Sequence, residues 1–336
     1  MSEVESPIVL SVVIPCYNEE DVLPETAKQI GALLDSMVAE KLVHPDSHLC
    51  LVDDGSKDRT WPIIQELSAQ TNQVRGLKLA RNRGHQNALL AGLENAEGDV
   101  LVSIDADLQD DITVIRTMVM EYYKGHEIVY GVRKKRTTDS FFKRITAEGY
   151  YYLLSKMGVN IVFNHADYRL MSRRTIEALR RYEEVNLFLR GIIPTIGFST
   201  AEVYYDRAER FAGESKYPLK KMLALAVDGI TSFSAVPLRF IAGLGFVIFI
   251  LSMLISVWAL GVRLFTDEAI PGWASYVLPM YVLGGIQILS LGVIGEYVSK
   301  IYMETKRRPR YFIERAAGQA LEGQSELARI REQIST

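Results

Sequence analysis

The chain has 336 residues, 48% hydrophobic and 24% charged, with a mean hydropathy of +0.06 and a formal net charge of −3. That length accommodates one large domain or two modest ones, and the near-neutral charge leaves no electrostatic footprint for binding nucleic acid. The two cysteines, Cys16 and Cys50, sit in apolar runs without C-x-x-C spacing, which argues against a disulfide framework and for buried thiols in a reducing compartment.

The opening MSEVESP carries acids where a signal peptide needs Lys or Arg before an apolar core, so the amino terminus is expected in the cytosol. Ile8–Pro15 is then a continuous apolar run closed by Pro, as in a strand buried on both faces. Residues 18–40 show helical spacing with acids in the first turn. HLCLVDDGS (48–56) repeats the pattern of an apolar run ending in acids and Gly, and KDRTWPIIQELSAQT (57–71) reads as a helix. VRGLKLA (74–80) gives a third strand and HQNALLAGLENA (85–96) a third helix. DVLVSIDAD (99–107) is a fourth strand, ITVIRTMVMEYYKG (112–125) a helix and EIVYGVR (127–133) a fifth strand.

Such alternation predicts an α/β layer with a mainly parallel sheet, whose ligands bind beyond the carboxyl ends of the strands. Tyr17 and Glu19, Asp53 and Asp54, and Asp105 and Asp107 are thereby brought to one edge. No G-x-G-x-x-G follows the first strand and no G-x-x-x-x-G-K-[ST] occurs, which disfavours a dinucleotide dehydrogenase and a P-loop NTPase. Carboxylates repel a bare phosphate, so they would hold a nucleotide through its base, its ribose hydroxyls or a bridging divalent cation. In SIDADLQDD (103–111), Asp105 and Asp107 are expected at the ligand edge, whereas Asp110 and Asp111 are expected to favour the start of the next helix. His85, at a helix start, is equally readable as structural or as a phosphate contact.

Composition changes near Ala235. Residues 240–262 and 273–295 are two uncharged apolar stretches, each long enough to cross roughly 30 Å of hydrocarbon as a helix. Lys220, Lys221 and Arg239 precede the pair, and Lys300, Lys306, Arg307, Arg308 and Arg310 follow it. The positive-inside asymmetry predicts two transmembrane helices with both termini cytoplasmic. Residues 140–158 and 217–238 mix apolar and basic side chains, as interfacial helices do. The tail IERAAGQALEGQSELARIREQ is expected to be a solvated helix.

SVVIPCYNEE, VDDGSKDRT, LARNRGHQNALLAG and DADLQ, in this order, resemble the family 2 glycosyltransferases with a GT-A fold. HADYRLMSR, RFAGESKYPLKK and the two apolar stretches narrow the resemblance to the polyprenyl-phosphate glycosyltransferases, the bactoprenol glucosyltransferase and dolichol-phosphate mannose synthase group. The likeness runs from about Ser11 to Phe312. It implies a GT-A catalytic domain over residues 1–216, an interfacial segment at 217–238, a membrane part at 239–300 and a cytosolic tail at 301–336.

The resemblance also implies roles. Pro15, Tyr17, Glu19 and Asp54, with Asp53 beside them, would form a uridine pocket, an Asp accepting from uracil N–H and a Tyr stacking on the ring. Asp105, Asp107 and Gln109 would face the donor diphosphate through Mg²⁺ or Mn²⁺. Arg81, Arg133, Lys143, Arg144 and Arg169 would join the substrate contacts, with Arg144 counted beside Asp107 and Asp167 as catalytic. Arg210, Ser215 and Lys216 belong to a basic loop that would close over the donor, and Asp167 would sit near the reacting carbon.

The implied reaction is inverting transfer of glucose or N-acetylglucosamine from a UDP-sugar to undecaprenyl phosphate, at the cytoplasmic face of a bacterial inner membrane. The relatives imply a homo-oligomer, a tetramer. A processive polysaccharide synthase is the enzymatic rival, but its Q-x-x-R-W signature is missing and two spans are too few for a conduit. A non-catalytic nucleotide-sugar-binding module would be expected to have lost its D-x-D, which is intact here.

Overall fold

The computed structural model describes residues 6–133, 165–185, 187–206, 236–265 and 273–318. The chain divides into two units, one of Met1–Tyr151, Asn160–Tyr217 and Arg308–Thr336, the other of Tyr152–Val159 and Pro218–Arg307.

The first unit contains, in chain order, β1 (Leu10–Cys16), α1 (Leu23–Ala39), β2 (His48–Asp53), α2 (Thr60–Gln70), β3 (Val74–Leu79), α3 (His85–Asn95), β4 (Val100–Ser103), α4 (Val114–Tyr123) and β5 (Ile128–Arg133). Then follow β6 (His165–Ser172), α5 (Arg173–Leu179), α6 (Leu189–Thr195), β7 (Thr200–Tyr205) and β8 (Ile313–Ala317). Among the described residues the strands form one sheet in the order β7-β5-β6-β4-β1-β2-β3-β8. β1 runs parallel to β2 and β4, β2 to β3, and β5 to β7. β6 is antiparallel to β4 and β5, and β8 to β3. The sheet is mainly parallel, as the alternation predicts.

The central strands are mostly apolar and buried along their whole length because helices cover both faces. All seven residues of β1 and all six of β2 are buried. α1 meets the sheet through Leu23, Ala27, Ile30, Leu34 and Met37, an i, i+4, i+7 stripe. α3 packs so closely that a Cβ on Gly92 would fall 2.3 Å from Val13 Cγ1 and 2.8 Å from Val52 Cγ2. Only a residue without a side chain fits there. Cys16 and Cys50 are buried free thiols, and burial pushes the Cys50 thiol up to about 12.

The reversed direction of β6 decides the geometry of the site. Strands β1, β2 and β4 end at the ligand edge, and β6 begins there. Ser103, the last residue of β4, pairs with Arg169, and its Oγ donates to the Asp167 carbonyl at 2.5 Å. Asp167 therefore lies beside the residues that follow β4.

The far edge of the sheet corrects one expectation. Ile313–Ala317, expected as the start of a solvated helix, is strand β8, with Leu77 opposite Ala316 and Lys78 opposite Arg315. Just before it, Tyr311 donates its hydroxyl to Glu94 at 2.5 Å and accepts from Asn95 Nδ2 at 3.0 Å, at the end of α3. A strand gains ladder hydrogen bonds by covering an exposed edge, which outweighs the weak local preference for helix.

His48 is buried, and its Nδ1 donates to the Asp46 carbonyl at 2.9 Å. Burial lowers its pKa from 6.5 to about 4. The unfolded chain protonates this imidazole near pH 6.5 but the folded chain only near 4. Stability is thus retained above pH 6.5 and lost as pH falls towards 4, by about 3 kcal/mol in all. His48→Leu should flatten that slope in denaturation of the full chain at pH 7.5, 6 and 5. Equal slopes in both proteins would assign the acid sensitivity to another group.

The second unit contains α7 (Val236–Phe265) and α8 (Trp273–Thr305). Their large apolar side chains point outward: Phe240 is 69% exposed and Leu289 70%. That is the reverse of a helix in a water-soluble fold. Among the described residues one stretch, Val282–Thr305, is long and apolar enough to cross a membrane, and Val236–Ile248 is a shorter apolar stretch. The two expected spans thus fall on two helices, of which one meets the length and composition for crossing. Of the expected interfacial segments, 140–158 lies outside the described residues, as does 217–238 except for its last three residues, which begin α7.

Candidate active site

The carboxyl ends of β1 and β2 and the start of α3 enclose a cavity of about 190 Å³. It is lined by Pro15, Cys16, Tyr17, Glu19, Asp54, Asn82, Gly84, His85 and Ala88. Four of the residues expected to form a nucleoside pocket, Pro15, Tyr17, Glu19 and Asp54, are thereby brought together. Tyr17 is 42% exposed on the cavity wall.

The turn after β2 shapes this cavity. Asp54 accepts from the Arg83 backbone N–H at 2.7 Å and from that of Gly84 at 2.9 Å, one bond to each oxygen. Burial raises its pKa, and these two hydrogen bonds oppose the rise. Gly55 has φ +68°, and a Cβ there would lie 2.7 Å from the Asn82 backbone nitrogen. The close approach of the two loops therefore requires glycine. Gly84, at φ +87°, starts α3 and delivers His85 to the cavity wall.

Asp53 corrects the expectation that it would line the pocket beside Asp54. It is fully buried, is not part of the cavity wall, and accepts from the Ser56 backbone N–H at 2.9 Å. It stabilises the turn. Arg81 is exposed on the loop beyond Gly55 and does not line the cavity either.

Asp105 and Asp107 emerge after β4 as half-buried carboxylates on either side of buried Ala106. The Ala106 carbonyl accepts from Thr26 Oγ1 at 2.8 Å, which ties this loop to α1. Leu108 adopts φ +54°, turning the chain so that the Gln109 N–H donates to Asp107 Oδ1 at 3.2 Å. Burial raises the pKa of Asp105, as do the like charges of Asp167, Asp110 and Asp107, while His85 opposes the rise.

Such a pair has a use for a cation. Among the described residues no three of His, Cys, Asp and Glu form a complete metal cage. Two half-buried carboxylates with a neighbouring amide oxygen do fit Mg²⁺ or Mn²⁺, which commonly take one or two carboxylates and fill the shell with water and substrate phosphate.

Asp110 and Asp111, expected to act together, divide. Asp111 Oδ1 accepts from Thr113 N at 2.9 Å and from Thr113 Oγ1 at 2.7 Å, starting the helical turn before α4. Asp110 turns inward, its side chain only 1% exposed. It accepts from Arg133 Nη2 at 2.9 Å, Arg133 Nε at 3.1 Å and the Tyr205 hydroxyl at 2.7 Å. Arg133, expected to meet phosphate, is held here by a buried carboxylate while 28% of its side chain stays exposed, and the pair pins β5 and β7 under the D-x-D loop.

Asp167, 8% exposed, is the centre of a second network. Arg169 Nη2 donates to its Oδ1 at 2.5 Å. Arg190 donates through Nε to Oδ1 at 3.2 Å and through Nη2 to Oδ2 at 3.1 Å. His85 Nε2 lies 3.4 Å from Asp167 Oδ2 and 3.5 Å from Asp105 Oδ1, linking the network to the D-x-D. Burial would raise the Asp167 pKa, but His85, Arg190 and Arg169 together hold it well below the usual carboxylate range. Burial likewise disfavours a charged His85, yet Asp167 and Asp105 raise its pKa. Arg169 is fully buried, so it anchors Asp167 from within the sheet and does not reach solvent.

Lys143, Arg144, Arg210, Ser215 and Lys216 lie outside the described residues. Arg190 is absent from the sequence-based set altogether. Its only signal is a lone charge inside the apolar run LFLRGIIP, residues 187–194.

A sequence profile described as glycosyl transferase family 2 matches residues 11–180, which contain the described site residues except Arg190 and Tyr205. The chain is 54% identical over 312 residues to the uncharacterized glycosyltransferase YkoT of Bacillus subtilis, covering 92% of each chain. It is 38% identical over 307 residues to the prophage bactoprenol glucosyl transferase homolog of Escherichia coli, covering 91% of this chain and 98% of the relative. Among solved structures, mannosyl-3-phosphoglycerate synthase from Rubrobacter xylanophilus superposes with a TM-score of 0.47 at 16% identity, covering 66% of this chain and 71% of that one. The profile spans half of the sequence and the relatives nearly all of it, so the chain belongs to glycosyl transferase family 2.

Proposed function

We propose that this glycosyltransferase moves a hexose, glucose or N-acetylglucosamine, from a UDP-sugar to undecaprenyl phosphate at the cytoplasmic membrane face, with inversion at the anomeric carbon. The observation that carries this reading is the 38% identity to a bactoprenol glucosyl transferase homolog across 91% of the chain, long apolar helices included. The cavity beside the D-x-D supports it, because nucleoside and diphosphate then have adjoining places.

In this reading the base stacks on Tyr17, with Pro15, Glu19 and Asp54 around the nucleoside. Asp105, Asp107 and Gln109 face the diphosphate and would hold Mg²⁺ or Mn²⁺. When bound, the metal would supply electrostatic stabilisation to the departing diphosphate. A lipid phosphate monoester has a second pKa near 6 if it behaves like a phosphoserine, so at pH 7 its oxygen is already an anion. That oxygen forms a bond to the anomeric carbon as the bond from carbon to the diphosphate oxygen breaks, and UDP leaves with the electron pair. No proton has to be removed. Asp167, which its cations keep ionised, positions groups near the reacting carbon.

α7 and α8 serve as two transmembrane helices. Arg239 and the basic residues Lys300, Lys306, Arg307 and Arg308 mark the cytoplasmic side. The protein thus belongs in a bacterial inner membrane, where it would assemble as a homo-oligomer, a tetramer by resemblance.

The test is incubation of the purified full chain with radiolabelled UDP-glucose or UDP-N-acetylglucosamine, undecaprenyl phosphate and Mn²⁺ or Mg²⁺. Label should enter the organic phase with one of the donors. No organic-phase label with any UDP-hexose would falsify the reading.

A further inference from the structure

We infer that α8 pairs with α8 of a second copy of this chain, and that the Gln287 amide makes the hydrogen bonds that fix the pairing. The inference rests on the proposed membrane-crossing homo-oligomer and gives that assembly a surface and a residue.

Gln287 lies inside Val282–Thr305, the stretch long and apolar enough to cross a membrane. Its amide is about 8 Å along the helix axis from the nearer end of that stretch. The side chain is exposed and, among the described residues, has no hydrogen-bond partner. Hydrocarbon offers no water as a substitute, so an amide left alone there is strongly disfavoured. An amide has both N–H donors and a carbonyl acceptor. Two of them facing each other across a two-fold axis therefore satisfy each other.

The surroundings leave the partner to another molecule. Gln287 lines a cavity of about 570 Å³ between α7 and α8. Among the described residues, α7 contributes Ile241, Leu244, Gly245 and Ile248 to its wall, none with a polar side chain. From α8, the Ser290 hydroxyl is already donated to the Ile286 carbonyl at 2.8 Å. An acyl or isoprenoid chain in this cavity would cover its apolar wall and leave the amide unmet. A second copy inserted in the same orientation brings an identical amide to the same depth. The surface also permits a close approach, because a Cβ on Gly245 or Gly284 would meet nothing within 4 Å. Small residues of this kind let membrane helices come together.

Crosslinking tests the pairing. Leu291 follows Gln287 by one helical turn and shares its face, whereas Leu289 lies on the opposite face. The two are 67% and 70% exposed, so they differ in direction and not in access. Cys16 and Cys50 are buried, which leaves an introduced thiol as the reactive one. The full chain, in vesicles of phosphatidylglycerol and phosphatidylethanolamine, is oxidised with copper phenanthroline. Leu291→Cys should give a disulfide-linked dimer, and Leu289→Cys should not. Adding Gln287→Leu to Leu291→Cys should raise about tenfold the protein density at which half the chain is crosslinked, as for the loss of two interhelical hydrogen bonds. Gln287→Asn should keep most of the pairing, since it retains an amide.

Equal or greater crosslinking at Leu289→Cys overturns the inference, as does the absence of a dimer at both positions, the result expected of a cavity filled by lipid alone. A shift below about threefold with Gln287→Leu overturns it too. Rapid labelling of Leu289→Cys in the vesicles by a charged maleimide that cannot cross the bilayer instead overturns the membrane-crossing reading on which the inference rests.

Discussion

In Asp107→Asn, sugar transfer should fall by about 10³-fold while the unfolding midpoint stays within about 2 °C of the parent. Asp107 is half-buried and accepts a hydrogen bond from the Gln109 N–H at 3.2 Å. An asparagine oxygen can accept the same bond, so the turn at Leu108 is kept. What is lost is a negative charge facing the place proposed for the diphosphate and its cation. The loss should appear in kcat more than in affinity for UDP, because the charge on the leaving diphosphate develops during bond breaking. Initial rates with saturating donor and acceptor, alongside thermal denaturation, check both halves. Turnover within threefold of the parent would remove Asp107 from the chemistry.

Asp110→Ala should do the opposite, damaging the fold. Its carboxylate is buried and accepts from Arg133 and Tyr205, so truncation strands a guanidinium and a hydroxyl without their acceptor. Breaking a buried pair on one side costs about 3–5 kcal/mol, here about 3 because the Arg133 side chain is 28% exposed and regains some water. For a domain of this size that lowers the unfolding midpoint by about 6–12 °C. Replacing the pair together, Asp110→Leu with Arg133→Met, should recover most of the loss, since apolar side chains leave no buried charge behind. A single variant as stable as the parent would show that the pair does not hold β5 and β7.

The difference between these neighbours shows what the sequence could convey. SIDADLQDD contains four aspartates, and periodicity places Asp105 and Asp107 just beyond a strand, where they follow β4. It cannot separate Asp110 from Asp111, because Asp110's partners are Arg133 and Tyr205, far along the chain. The alternating strands and helices up to Arg133 are legible because each apolar run is continuous and each helix carries a stripe. β6 is less legible, since its strand HADYRLMS contains the charges whose burial is satisfied only by the site itself. β8 is illegible for a related reason: IERAA has no strand pattern, and the open edge of β3 supplies its conformation. Arg190 shows the limit most clearly. Its neighbours are apolar, it lies on the short helix α6, and only the fold brings it to Asp167.

The strand β8 also has a consequence for the order in which the protein is made. A ribosome delivers β3 early, before α7 and α8 have been synthesised, and β8 only after them. The catalytic sheet must therefore persist with one border unpaired until nearly the whole polypeptide has emerged, and such borders are where nascent chains associate wrongly. The final strand then joins only a domain whose β3 has stayed available. Completion of the sheet is thereby coupled to completion of the long apolar helices, so a chain interrupted before residue 313 leaves an enzyme domain with its last seam open.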